Sequence, residues 1–226
     1  MSAYFSQVEW QPQQGDAPAL RRLLAGGGYG LHQAMWQLFE RTEPPAHRDF
    51  LYHRLADGRL AFYVVSARAP RSDVAGWRVR SKPYLPQLRV GERLGFTLRA
   101  NPTVARGREA DGKGRAVRHD VVMDARRSLP EAGEAERVAR AGSQWLNGRD
   151  GQRAAEHGFA LDSVIADAYT QHRLHKPGAP RAITFSTLDY RGVLRVTDAE
   201  RLQHALLHGI GPAKGFGCGL LLVRRL

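Results

Sequence analysis

Apolar and polar residues alternate from Ala3 to Trp10, the period of a half-buried strand. A polar turn over Gln11 to Asp16 follows, and Ala17 to Leu24 has the spacing of a short helix. The run Gly26-Gly27-Gly28-Tyr29-Gly30 then reads as a flexible break. Beyond it Leu31, Ala34, Met35, Leu38 and Phe39 fall at i, i+3, i+4, i+7 and i+8, one stripe of an amphipathic helix that Pro44-Pro45 ends. Asp49 to Leu55 and Leu60 to Ala67 are predicted as strands around an Asp57-Gly58 turn. A short helix near Arg71 to Gly76 and a strand near Leu85 to Val90 would complete a β-α-β-β-α-β unit, the ferredoxin-like pattern.

A second unit starts at Gly95, with a strand over Phe96 to Ala100. Arg106 to Asp120 is rich in Gly and Arg and has no apolar period, so a mobile or ligand-ordered loop is expected, with Val121 and Val122 in the strand after it. Pro130 to Leu146 reads as a helix with Pro130 in its first turn. Leu161 to Arg173 and Ile183 to Val196 read as strands around the basic turn 175–181. Thr197 and Glu200 form a capping-box signature for a helix over Ala199 to His208, and Gly219 to Val223 is the final strand. The order of elements suggests one architecture used twice.

Charge adds the first functional constraint. Lys plus Arg number 34 against 22 acidic residues, a net charge of +12, which favours a polyanionic partner: nucleic acid first, an acidic membrane surface second. The lysines are only Lys82, Lys113, Lys176 and Lys214. Arginine suits phosphate forks and base stacking, although a GC-rich genome also favours it over lysine. One cysteine, Cys218, excludes an intramolecular disulfide framework. With no apolar run near the roughly 20 residues of a membrane span and no signal-peptide pattern at the N-terminus, a cytoplasmic protein is expected.

Nine histidines raise the question of a metal. His172 and His175 lie three apart and His204 and His208 four apart, but HExxH and paired CxxC motifs are absent, and no metal or other cofactor is expected. The segment Gly209 to Gly219 is neither a Walker loop nor a dinucleotide fingerprint, because its glycines follow a helix and lead into a strand. Two readings remain: a helix C-cap with a tight turn at Gly209, or a loop whose backbone N–H groups and Lys214 contact phosphate. The number of glycines favours the second. His32 is expected in the first turn of its helix, where the dipole attracts phosphate, with Tyr29 three residues earlier. Taken alone, such a histidine is ordinarily a polar surface residue.

Four stretches carry a family likeness. They are Tyr29 to Phe39 (YGLHQAMWQLF), Arg48 to Tyr52 (RDFLY), Phe96 to Pro102 (FTLRANP) and Gly209 to Leu222 (GIGPAKGFGCGLLL). In this order they resemble the CasE (Cse3) family, the CRISPR RNA-processing endoribonucleases of type I-E Cascade complexes. The resemblance implies an α+β chain of two tandem ferredoxin-like (RRM-like) domains, set here at 1–92 and 93–226. It implies metal-independent cleavage at the 3′ base of a CRISPR repeat stem-loop, leaving a 5′-hydroxyl and a 2′,3′-cyclic phosphate. The protein would then keep the crRNA as a subunit beside the other Cascade proteins. The catalytic histidine falls on His32 and its tyrosine on Tyr29, and the glycine loop matches at Gly209, Gly211, Lys214, Gly215, Gly217 and Gly219. From their charge, Arg106, Arg108, Lys113, Arg115 and Arg118 in one loop and Arg173, Lys176 and Arg181 in another are expected to bind RNA. The Gly26 to Gly28 run departs from the pattern, and Gln37 stands where some members carry a lysine, leaving a second cationic catalyst unassigned. A non-catalytic RNA-binding scaffold of the same fold is the rival reading.

Overall fold

The computed structural model describes residues 3–11, 17–25, 27–40, 48–56, 58–106, 117–176 and 178–226. Its first sheet contains β1 (Tyr4–Trp10), β2 (Phe50–Arg54), β3 (Ala61–Ser66) and β4 (Trp77–Pro83) in the order β2-β3-β1-β4, every neighbour antiparallel. Two helices, α1 (Ala17–Ala25) and α2 (Gly27–Gln37), join β1 to β2. Strand alternation decides which side chains meet them. Val8, Tyr52, Phe62, Val64 and Trp77 share a face and bury against Ala34 and Met35 of α2 and against Leu38 beyond its end. Leu51 and Val65, one residue out of step, point the other way and bury against Leu220 from the far end of the chain. Each such apolar side chain contributes about 1.5–3 kcal/mol on burial.

The second sheet starts with β5 (Arg93–Ala100), followed by a two-stranded ribbon of β6 (Thr103–Arg106) and β7 (Val117–Asp120). Three helices come next: α3 (Val121–Ser128), α4 (Glu134–Asn147) and the short α5 (Gln152–Glu156). A long hairpin of β8 (Phe159–Leu174) and β9 (Ile183–Val196), then α6 (Ala199–His208) and β10 (Leu221–Arg225), complete the chain. The order β10-β5-β9-β8 is again antiparallel throughout, so the α+β fold is two tandem ferredoxin-like sheets, each with its fourth strand beside its first. Among the described residues no helix is long and apolar enough to cross a membrane.

Several expectations are corrected by packing. Gly27, Gly28 and Gly30 are not a break: they lie inside α2. A Cβ on Gly30 would stand 2.5 Å from the Leu23 carbonyl oxygen, so glycine here permits the close approach of α1 to α2 and offsets its poor helix propensity. Residues 71–76 form no helix; Arg71 N–H donates to the Leu38 carbonyl at 2.7 Å and its guanidinium pairs with Asp73. The closing strand is β4 rather than Leu85 to Val90, with Trp77 buried while Arg78, Arg80 and Lys82 alternate outward along a sheet edge. Leu85 and Val90 are 65% and 70% exposed.

Val121 and Val122 open α3 instead of a strand, because the Asp120 carboxylate accepts from the N–H groups of Val122 and Met123 and starts a helix there. The expected loop from Arg106 to Asp120 has paired ends in β6 and β7. Helix α4 begins at Glu134, leaving Pro130 in the preceding turn. The cap of α6 is Asp198, not Thr197: its carboxylate accepts from Arg201 N–H at 3.0 Å. Gly26, Pro44-Pro45 and Asp57 lie outside the described residues.

Candidate active site

Helix α2 and the glycine-rich segment after α6 meet at one atom, the carbonyl oxygen of Gly215. The His32 ring bonds it through Nδ1 at 2.7 Å, and the Tyr52 hydroxyl donates to it at 3.0 Å. A carbonyl oxygen only accepts, so Nδ1 carries the hydrogen and neutral His32 keeps its lone pair on Nε2. Burial raises the Tyr52 phenol far above its usual range, which keeps it a donor. His32 is the sixth residue of α2, because the helix starts at Gly27. That moves it out of the first turn, where the dipole argument placed it, and the hydrogen bond takes over the orienting role.

Aromatic rings complete the setting. Tyr29 lies 5.9 Å from His32 between ring centroids, Phe216 lies 5.2 Å away, and Trp36 presents an edge at 6.3 Å. Phe216 stacks on Phe185, and Phe185 on His172, so rings run unbroken from α2 to the β8–β9 hairpin. A cavity of about 280 Å³ opens beside this stack, lined in part by Gly28, Leu31, Tyr52, Arg54, Arg99 and Phe216.

Two cations stand close by. Arg48, just before β2, is half-buried; burial lowers its pKa, and Tyr52 is the other influence on it. Its buried Nε has no hydrogen-bond partner among the described residues. The Lys214 ammonium donates to the His208 carbonyl at 2.6 Å, and burial, then the charge of Arg48, lower its pKa. Cys218 is buried and its thiol is pushed up to about 12, so it is neither a nucleophile nor a thiolate ligand at neutral pH. Among the described residues no group of three or more His, Cys, Asp or Glu is placed to hold a metal ion.

The glycines of the loop face protein. Gly209 ends α6 with φ +76°, and a Cβ there would come within 2.8 Å of the Gly219 carbonyl oxygen and 2.9 Å of Leu51. Gly211 packs on Trp145, Gly217 on the Tyr52 ring, and Gly219 on Ile210 and Lys214. These contacts fold the loop so that the Gly215 carbonyl turns to His32.

The predicted basic residues divide into groups. Arg118 on β7 and Arg173 on β8 line one open groove of about 770 Å³ that shares His172 and Phe185 with the smaller cavity. Lys176 and Arg181 are exposed in the β8–β9 connection. Arg106 is turned to the Asp124 carboxylate on α3. Arg108, Lys113 and Arg115 lie outside the described residues. Arg48, Tyr52 and Phe216 carry no sequence signal of a role beyond lying within the family-like stretches, because no spacing rule links residue 52 to residue 215.

This double ferredoxin-like fold, with a histidine held by a glycine loop beside basic grooves, matches the family described as CRISPR associated protein over residues 3–225. The Cascade subunit CasE of Escherichia coli (strain K12) is 33% identical over 85% of this chain and 89% of its own length. The CRISPR-associated endoribonuclease Cse3 of Thermus thermophilus is 33% identical over 63% of this chain and 60% of its own. A solved structure of Thermus thermophilus Cse3, bound to an RNA representing a pre-cleavage complex, superposes with a TM-score of 0.69 at 24% identity, covering 99% of this chain and 100% of that one. The chain belongs to the CasE (Cse3) family of CRISPR-associated endoribonucleases.

Proposed function

We propose that this protein is a CRISPR repeat endoribonuclease that cuts without a metal, with His32 and Tyr29 as its catalytic residues. The observation that carries the reading is the His32 Nδ1–Gly215 contact, which joins two family-like motifs 183 residues apart and leaves Nε2 without a hydrogen-bond partner among the described residues. RNA supplies its own nucleophile, so the enzyme needs a base, an acid and donors for the phosphorane charge rather than an activated water. Nε2 of His32 takes the proton of the 2′-hydroxyl as O2′ attacks phosphorus. The bond to O5′ breaks and that oxygen takes the proton from the imidazolium formed at His32, giving a 5′-hydroxyl and a 2′,3′-cyclic phosphate. Tyr29, one helical turn before His32, hydrogen-bonds the reacting oxygens.

The N-terminal unit, 1–92, carries the chemistry, and the C-terminal unit, 93–226, supplies the basic grooves and the glycine loop. Arg118 and Arg173, with Lys176 and Arg181, hold the A-form stem through its backbone, so that the cut falls at the 3′ base of the stem. The product stays bound as the crRNA, and the protein serves as a Cascade subunit, as the Escherichia coli relative's name describes for that protein.

The test is cleavage of cognate repeat RNA in EDTA, with analysis of the product ends. We expect full cleavage in EDTA, a cyclic phosphate product, and no cleavage of RNA carrying a 2′-deoxy at the scissile nucleotide. Cutting of the deoxy substrate would exclude 2′-hydroxyl attack. Tight binding without any cutting by the wild type would leave the scaffold reading in its place.

A further inference from the structure

We infer that Arg48 is a further catalytic residue, whose guanidinium grips the non-bridging oxygens of the scissile phosphate and stabilises the charge of the phosphorane. This inference rests on the reading of His32 given above. Position is the first reason. A Cβ built on Gly215 would lie 3.3 Å from Arg48 Nη1 and also 3.3 Å from both Cε1 and Nδ1 of His32. The cation and the imidazole therefore flank the same point of the backbone, on two segments that the sequence separates by a proline-rich stretch.

The second reason is that Arg48 has no counter-charge among the described residues. Two other partly buried arginines have theirs: Arg99 forks onto Asp189 through two bonds of 2.6 Å, and Arg68 onto Asp49 at 2.6 and 3.2 Å. Asp49, the carboxylate next to Arg48 in sequence, is thereby committed to Arg68. Around Arg48 stand a phenol that burial keeps neutral, Tyr52, and a second cation, Lys214. Among the described residues no carboxylate pairs with this half-buried guanidinium, an arrangement that is unfavourable until an anion arrives. The phosphodiester that His32 acts on is such an anion, and its charge grows in the transition state, when the guanidinium holds it most strongly.

Lys214 is the competing candidate, and its geometry places it elsewhere. Its ammonium is tied to the His208 carbonyl at the end of α6, which makes it a brace for the glycine loop. Arg48 also fills the role left open by Gln37, from a different segment.

The experiment compares Arg48→Gln and Arg48→Lys with the wild-type protein in single-turnover cleavage at saturating protein. Repeat-RNA affinity and thermal stability are measured alongside, and a substrate with a non-bridging phosphorothioate at the scissile position is included. Loss of one transition-state donor predicts a rate about 100- to 1,000-fold lower for Arg48→Gln. Affinity should change less than about threefold, since many other phosphate contacts remain. Arg48→Lys should recover part of the rate, because it keeps a charge but not the fork. The sulfur should slow the wild type more than it slows either variant. The inference is overturned if Arg48→Gln cuts at the wild-type rate, or if rate and affinity fall together with the sulfur effect unchanged. If Arg48→Gln does not fold, the sulfur effect on Arg48→Lys decides: a reduced effect supports the contact and an undiminished one rejects it. Failure of the wild type to cut repeat RNA, or wild-type cutting by His32→Ala, is a separate result that strikes the His32 reading first.

Discussion

A carbonyl oxygen has two lone pairs, and His32 and Tyr52 between them occupy those of Gly215. Tyr52 is thus a positioning residue, acting through the carbonyl that fixes the tautomer of His32. Tyr52→Phe removes one hydrogen bond worth about 1 kcal/mol, so a cleavage rate about five- to tenfold lower is expected, with RNA affinity unchanged. Single-turnover rates beside a binding titration check this, and equal losses in both would contradict it. Histidines elsewhere set a pH limit. Burial lowers the pKa values of His53, His157 and His172 below their ordinary 6.5. Below that value the unfolded chain takes up protons that the folded chain refuses. Their contribution to stability is therefore complete above pH 6.5 and is lost as pH falls through the folded-state values. Thermal melts at pH 7.5 and 5.5 should show a lower midpoint at the acid pH, and equal midpoints would count against it.

At the scale of elements, the clearest test lies in the loop that presents Gly215. Gly209→Ala combines a left-handed φ of +76° with a Cβ 2.8 Å from the Gly219 carbonyl oxygen. A loss of about 1–3 kcal/mol is expected, read as a lower denaturation midpoint. Elements with a plain apolar period were legible in the sequence: β1, β8, β9, α6 and the start of the α2 stripe (Leu31, Ala34, Met35) lie where alternation and helical spacing placed them, while α2 ends at Gln37, short of Leu38 and Phe39. Misreadings arose where one signal was overridden by another. Glycines that normally break helices opened α2 because Leu23 needed room, and a β-branched pair at 121–122 became helix because Asp120 caps it. Alternate arginines hid β4, whose buried side rests mainly on Trp77. At the site, His32, Tyr29 and the glycine loop were legible through the family-like motifs. The partner atom of His32 was not, because a contact between residues 32 and 215 exists only after two sheets have packed together.

At the scale of the whole molecule, the chain carries a net charge of +12, and Arg118 and Arg173 line an open groove while Arg54 and Arg99 line the smaller cavity. If Arg118, Arg173, Lys176 and Arg181 each neutralise one phosphate, affinity for repeat RNA falls on the order of 100-fold between 50 and 200 mM salt. Replacing Arg118 and Arg173 together by Glu should weaken binding and flatten that salt dependence; an unchanged slope would move the RNA to another face. Both sheets share in the site, since Leu51 and Val65 of the first bury Leu220 from the segment that leads into β10. Loop, histidine and groove are therefore held in one arrangement.

The central claim is that His32, locked through Nδ1 with Nε2 unpartnered among the described residues, performs the proton transfer in RNA cleavage. Single-turnover cleavage of cognate repeat RNA in EDTA, wild type against His32→Ala, with affinity measured on the same preparations, tests it most directly. His32→Ala is expected to bind the RNA about as tightly as the wild type and to cut at least about 100-fold more slowly. Cleavage by His32→Ala at close to the wild-type rate would contradict it.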